Sequence, residues 1–314
     1  MGVQARSRIS QPSGASHKTA DRREERVGLV WGLLGVFSFS LTLPATKAAL
    51  TALSPLTVGL GRALVAAVLA GLVLLLKRER VPTWRQTRQL LIVAAGVVGG
   101  FPFLTAWAME RVPATHGAIV LALLPLATAG AAAFFAGERP SRRYWISSAA
   151  ACLAILAYAA GTGLGGLQQA DLALLGAVLA AAVGYAVGGQ LARTMGGWQV
   201  ISWALVFSFP LLVVPMAVPL VSELRNASWS ALLGFGYVSV VSQYLGFFAW
   251  YHGLAVGGVA RVGQTQYLQP FFTLAASALL LGESITPGAV AAAVIVVAAV
   301  AQGRRAAVIR IERS

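Results

Sequence analysis

Charge is scarce in this chain. Only 11% of its 314 residues are Asp, Glu, Lys or Arg, against about a quarter in a soluble domain. Acids are the scarcer sign, ten against 24 Lys and Arg, and the long apolar runs contain none except at their ends. Cysteine is almost missing. The lone Cys152 lies in an apolar run, which excludes an intrachain disulfide and reads as a buried, inert thiol. No GxxxxGK[ST] loop is present to cradle nucleotide phosphates, and no HExxH, GxSxG or acidic metal-binding run occurs. These absences argue against an ATP-driven pump and against a membrane-embedded enzyme. No cofactor or metal is expected.

What is abundant is apolar surface. Hydrophobic residues make up 58% of the chain and the mean hydropathy is +0.75, more than a core of this size can hide from water. The solvent this implies is a bilayer. Ten segments approach the roughly 20 apolar residues that span one. They cover 27–47, 56–76, 89–109, 115–136, 144–162, 172–192, 200–221, 229–251, 260–281 and 286–303, and are called segments 1 to 10 below. Residues 1–26 read as a disordered basic tail and 304–314 as a second basic tail. An all-α integral membrane fold follows.

The basic residues set its orientation. With the N-terminus in the cytoplasm, nineteen of the 24 Lys and Arg fall inside and three, Lys47, Arg111 and Arg225, fall outside; Arg62 and Arg261 lie within or beside segments. The positive-inside rule therefore expects both termini on the cytoplasmic side of the cell membrane. The excess of positive charge is a topology signal and an attraction for anionic membrane lipids. No nucleic-acid partner is expected.

One sentence is written twice. Residues 106–125, AWAMERVPATHGAIVLALLP, run into LPLATAGAAAFFAGE; residues 251–270, YHGLAVGGVARVGQTQYLQP, run into QPFFTLAASALLLGE. Pro, Thr and the closing Gly-Glu recur at an offset of 145. Segments 1–5 (27–162) and 6–10 (172–303) are then two copies of one unit. Five crossings is an odd number, so the copies enter the membrane from opposite sides. Such inverted repeats build secondary transporters with a midplane site between the halves.

These motifs, with WGLLGVFSFSLTLPATKAAL opening segment 1 and GRALVAAVLAGL in segment 2, resemble the EamA-type, ten-helix group of the drug/metabolite transporter superfamily. The resemblance implies ten helices, cytoplasmic ends, a central cavity and, for many members, export of amino acids or other small metabolites. Some members carry several cavity cations for phosphorylated substrates. Here only Arg62 and Arg261 qualify, so a strongly anionic substrate is not expected. A drug or lipid exporter on the same fold, or a passive channel, is the alternative.

Polar groups within a bilayer must face protein or water, so they point to the cavity. At 100° per residue, Trp31, Ser38 and Thr42 share a face of segment 1, as do Ser239 and Gln243 in segment 8; Tyr244 lies on another face of segment 8. Trp250 and Tyr251 read as an interfacial aromatic belt. Gln266, Gln269 and Thr273 share a face of segment 9. Each is a candidate substrate contact or an interhelical hydrogen bond. Arg62 is either an anchor for a substrate carboxylate or a side chain that snorkels to the headgroups or bonds backbone carbonyls. His116 is a proton-linked group or an interfacial bystander. Pro125 and Pro270 are candidate hinges, and Glu138 and Glu283 read as structural anchors. Small-xxx-small pairs, Gly96/Gly100 and Gly184/Gly188, serve helix packing or a homodimer.

Overall fold

The computed structural model describes residues 14–143, 145–147, 149–150, 153, 157, 168–303 and 308–310. Seven helices among them are long and apolar enough to cross a membrane: Glu24–Ala49, Thr57–Lys77, Trp84–Met109, Ala114–Phe135, Gln169–Met195, Gly197–Arg225 and Trp229–Gly257. They are segments 1 to 4 and 6 to 8. Most of segment 5, with Cys152, lies outside the described residues. Segment 9 is Val259–Gly263, a 3-10 turn Gln264–Leu268 and helix Gln269–Leu281; segment 10 is Pro287–Gly303. The strands among the described residues form one short antiparallel pair, Glu138–Pro140 with Val308–Arg310.

The outer surface is what a bilayer requires. Leu211, Val214 and Val218 are more than three-quarters exposed on the helix Gly197–Arg225, which keeps three internal prolines without breaking. In water such a face would aggregate; among lipid tails it is solvated.

The N-terminal stretch differs from the sequence expectation. The first helix begins at Gly14, so residues 14–26 are helical rather than an unstructured tail. An ion pair between Glu25 and Arg261 ties the extension to the start of segment 9.

Glycine brings the two repeats together. Segment 1 packs along segment 8, and segment 3 along segment 6. A Cβ on Gly28 would sit 2.5 Å from the Gly257 Cα, and one on Gly253 would sit 2.8 Å from the Gly32 nitrogen. Gly96 is pressed against the Ala180 carbonyl, and Gly100 faces the Ala180 methyl. The Gly96/Gly100 and Gly184/Gly188 pairs therefore pack helices within one chain, which closes the choice that their spacing alone leaves open. Close backbone approach gains dispersion contact where lipid supplies no hydrophobic drive.

Both closing Gly-Glu pairs do the same thing. Gly137 and Gly282 take φ +66° and +67°, the left-handed C′ conformation that glycine adopts at no steric cost. This ends each helix and turns the glutamate back into the bundle. Glu138 accepts from the Val259 and Ala260 nitrogens at 2.9 and 2.7 Å. Glu283 accepts from the Ala114 and Thr115 nitrogens, both at 2.9 Å. Each carboxylate closes the helix start of the other repeat, where unpaired N–H groups and the helix dipole favour an anion. The structural role expected of both glutamates has this geometric form.

Candidate functional site

Three helices loosen where they approach the centre. Thr57–Gly61, Ala94–Gly100 and Tyr237–Leu245 widen into π-helical turns, a feature common at functional sites. Arg62 follows the first, Val97 lies in the second, and Ser242 and Gln243 lie in the third. The widening frees the Val97 carbonyl, which accepts from Gln243 Nε2 at 3.0 Å. Gln243 then offers its oxygen to Arg62 Nε at 3.0 Å. The chain Arg62–Gln243–Val97 links segments 2, 8 and 3.

This network borders a cavity lined by Phe39, Thr42, Leu43, Arg62, Val97, Phe101, Leu121, Tyr185, Ser242, Phe247 and Gln269. Its lining comes from segments 1 to 4 of the first repeat and 6, 8 and 9 of the second. The volume is about 10 Å³, room for about one water. A contiguous smaller hollow adds Ala118, Pro270 and Thr273. Thr42 Oγ1 and Ser242 Oγ lie 2.8 Å apart, a cross-repeat hydroxyl pair at the cavity wall. The rings of Phe39 and Phe247 meet tilted at 5.1 Å, and those of Tyr185 and Phe247 at 6.1 Å.

Thr42, Arg62 and Gln269 thus meet at one cavity, with Gln243 bonded directly behind and Thr273 alongside, its hydroxyl donating to the Ser40 carbonyl at 2.8 Å. Arg62 is 2% exposed, so it does not snorkel, and among the described residues it bonds a side chain rather than backbone carbonyls.

The remaining candidates lie elsewhere. Trp31 is 40% exposed and meets His252 edge-on. It shares a face with Thr42 but stands eleven residues away, about 16 Å along the axis at 1.5 Å per residue. Ser38 donates to Leu34 O at 3.0 Å and Ser239 to Phe235 O at 2.7 Å, each satisfied on its own helix. Tyr244 turns to segment 7, with its hydroxyl 2.9 Å from Ser202 Oγ. Gln266 is buried in the 3-10 turn, and neither amide atom has a hydrogen-bond partner among the described residues. Trp250 and Tyr251 are fully buried, so they form no interfacial belt; the Tyr251 hydroxyl donates to Gly184 O at 3.2 Å.

Four aromatic lining residues, Phe39, Phe101, Tyr185 and Phe247, escape a reading based on polar groups. In an apolar segment a cavity-facing Phe looks the same as the lipid-facing Phe134. Ser242 was findable, one residue from Gln243, but the π turn moves it off the face that a regular helix computes. His116 also has a partner that its sequence position does not show: its Nε2 lies 2.7 Å from Asp171 Oδ1, and both residues are buried. Asp171 Oδ2 accepts from the Gln168 nitrogen at 3.0 Å.

Comparison with known proteins agrees in family. The model of the EamA-like transporter family matches residues 26–159 and again 168–302. An uncharacterized transporter of Bacillus subtilis (strain 168), YdeK, is 44% identical over 283 residues, 88% of this chain and 97% of that protein. A probable terminal-alkyne amino-acid exporter of Streptantibioticus cattleyicolor is 26% identical over 263 residues, covering 82% of this chain and 87% of that protein. A solved crystal structure shares the fold with TM-score 0.64 at 14% identity, covering 88% of this chain and 97% of that one. With two matched repeats across nearly its whole length, this chain is a multi-pass membrane protein that belongs to the EamA-like transporter family.

Proposed function

We propose that the chain is a secondary transporter that exports a small metabolite, an amino acid or a related compound, across the inner membrane by alternating access. In this reading ten helices form two five-helix repeats of opposite orientation, with both termini in the cytoplasm. One observation carries it. The central cavity takes its lining from both repeats and is closed to about one water's volume, as a site that opens to one side at a time must be when it is occluded. The reciprocal Glu138 and Glu283 caps fit two copies of one unit that rock against each other. The Streptantibioticus relative, described as a probable exporter of a terminal-alkyne amino acid, supports the substrate class. No phosphate-cradling loop is present, so the driving force is an ion or solute gradient.

The test is uptake of a labelled amino-acid and N-acyl-amino-acid panel into proteoliposomes, with and without an imposed pH gradient. Saturable flux that is lost in Gln269→Ala and kept in Trp31→Ala supports the reading and this cavity. No saturable flux for any member rejects the substrate class. Flux of fluorescent lipid or amphiphilic drug instead would reassign the cargo.

A further inference from the structure

Arg62 is the one formally charged residue lining the central cavity, and no Asp or Glu lines it. It is buried. Gln243 accepts from its Nε, and Gln243 itself is held on Val97. No other hydrogen bond or ion pair to Arg62 forms among the described residues. A guanidinium carries five N–H donors in a planar fork, so one is used by the protein and the outer fork is left for the cavity. An uncompensated cation inside a membrane protein is costly, and it marks a functional site with a missing partner.

Charge counting then narrows the ligand. The lining contributes one positive charge and neutral dipoles from Thr42, Ser242 and Gln269. A carboxylate that takes the fork bidentately brings the site to neutrality. A zwitterion leaves it at net +1, because its ammonium meets no acid. A dianion or phosphate leaves it negative. Beyond the fork the wall is apolar and aromatic, with Phe39, Phe101, Tyr185 and Phe247.

We propose that the cavity takes a net monoanion, the carboxylate of a small apolar or aromatic molecule without a protonated amine, such as an N-acylated or deaminated amino acid, in preference to a free amino acid. This rests on the reading of the central cavity as the substrate site.

Four probes that share a benzyl group test it: N-acetylphenylalanine, phenylalanine, N-acetylphenylalaninamide and phenylalaninamide, with net charges −1, 0, 0 and +1. Binding is measured by calorimetry on the purified full-length protein in nanodiscs. N-acetylphenylalanine is expected to bind at least tenfold tighter than each of the others. Arg62→Lys should keep the order and weaken the anion about tenfold, since a point charge replaces the fork. Arg62→Gln, verified as monodisperse and helical, should erase the preference. Equal or tighter binding of phenylalanine or phenylalaninamide overturns the proposal, with the aromatic rings then holding the ammonium. So does a preference that survives in Arg62→Gln, or binding of none of the four at millimolar concentration. Flux separates this failure from that of the transporter reading. Saturable phenylalanine transport, kept in Arg62→Gln, would leave a transporter whose site is not selective for anions.

Discussion

Glu138 and Glu283 make the same pair of hydrogen bonds 145 residues apart: Glu138 holds the nitrogens of Val259 and Ala260, and Glu283 those of Ala114 and Thr115. Each element closes with glycine at positive φ followed by the acid, and each acid is used in the opposite repeat. The two halves are therefore tied at both ends of the same pair of helices. Charge-assisted bonds to otherwise unpaired backbone donors are the strong class of protein hydrogen bond. Glu138→Ala removes two of them from a site only 1% exposed, and should cost about 2–4 kcal/mol. Glu283→Ala, at a partly exposed position, should cost less. Gln, with one acceptor oxygen, should restore part of each loss. Thermal unfolding in nanodiscs measures all four variants.

The prolines give a second prediction. The helix of segment 4 is interrupted at Ala122–Leu123, and that of segment 9 passes through the Gln264–Leu268 3-10 turn; in each case helix resumes one residue before Pro125 or Pro270. Alanine would supply the missing N–H and straighten the joint. If these joints bend during transport, Pro125→Ala and Pro270→Ala should each slow turnover about tenfold, roughly 1.4 kcal/mol on the barrier, with thermal stability kept or raised. Pro210→Ala, in an unbroken helix, should leave turnover unchanged. Initial rates in proteoliposomes at saturating substrate report the difference.

Glycine at the contact between repeats gives a third. Gly253→Ala places a methyl group 2.8 Å from a backbone nitrogen and 2.9 Å from the Gly28 carbonyl oxygen, where no flexible side chain can yield. It should destabilise by about 1–3 kcal/mol. Gly236 meets nothing within 4 Å, so Gly236→Ala should gain about 0.5–1 kcal/mol of helix propensity. Opposite shifts in melting temperature from the same chemical change are the expected result.

His116 and Asp171 supply a fourth. The two are buried and 2.7 Å apart, joining the start of segment 4 to the start of segment 6. His116→Ala should cost about 1–3 kcal/mol by removing a partner of a buried carboxylate. The double variant His116→Ala/Asp171→Ala should cost less than the two single losses combined, by about 0.5–3 kcal/mol. Strict additivity would show that the pair is incidental.

Much of this was legible in the residues because bilayers leave few options. Apolar length gave the seven spans found among the described residues, and the doubled Gly-Glu sentence gave the two repeats that the family model matches. Arg62, Thr42, Gln243 and Gln269 stood out because polar groups inside apolar runs must meet something. The rest was hidden for specific reasons. Helical angle says nothing of depth, which is why Trp31 shares a face with Thr42 and stands far from it. The π turn at Tyr237–Leu245 inserts an extra residue and rotates Ser242 onto the cavity while Ser239 bonds its own helix. Tyr185 and Phe247 carry no signal that separates a cavity wall from a lipid face. Glu25 falls in a stretch that reads as tail, because its partner Arg261 lies 236 residues away.

The proposed function requires this cavity to carry a solute across the membrane by opening to one side at a time. Counterflow is the signature of that cycle. Proteoliposomes are preloaded with unlabelled N-acetylphenylalanine, and entry of trace labelled N-acetylphenylalanine is followed without any imposed gradient. Alternating access predicts a transient overshoot of label above equilibrium, saturating with the internal load and absent in Gln269→Ala. Label that rises to equilibrium without overshoot, in proportion to concentration, would identify an open pore and overturn alternating access.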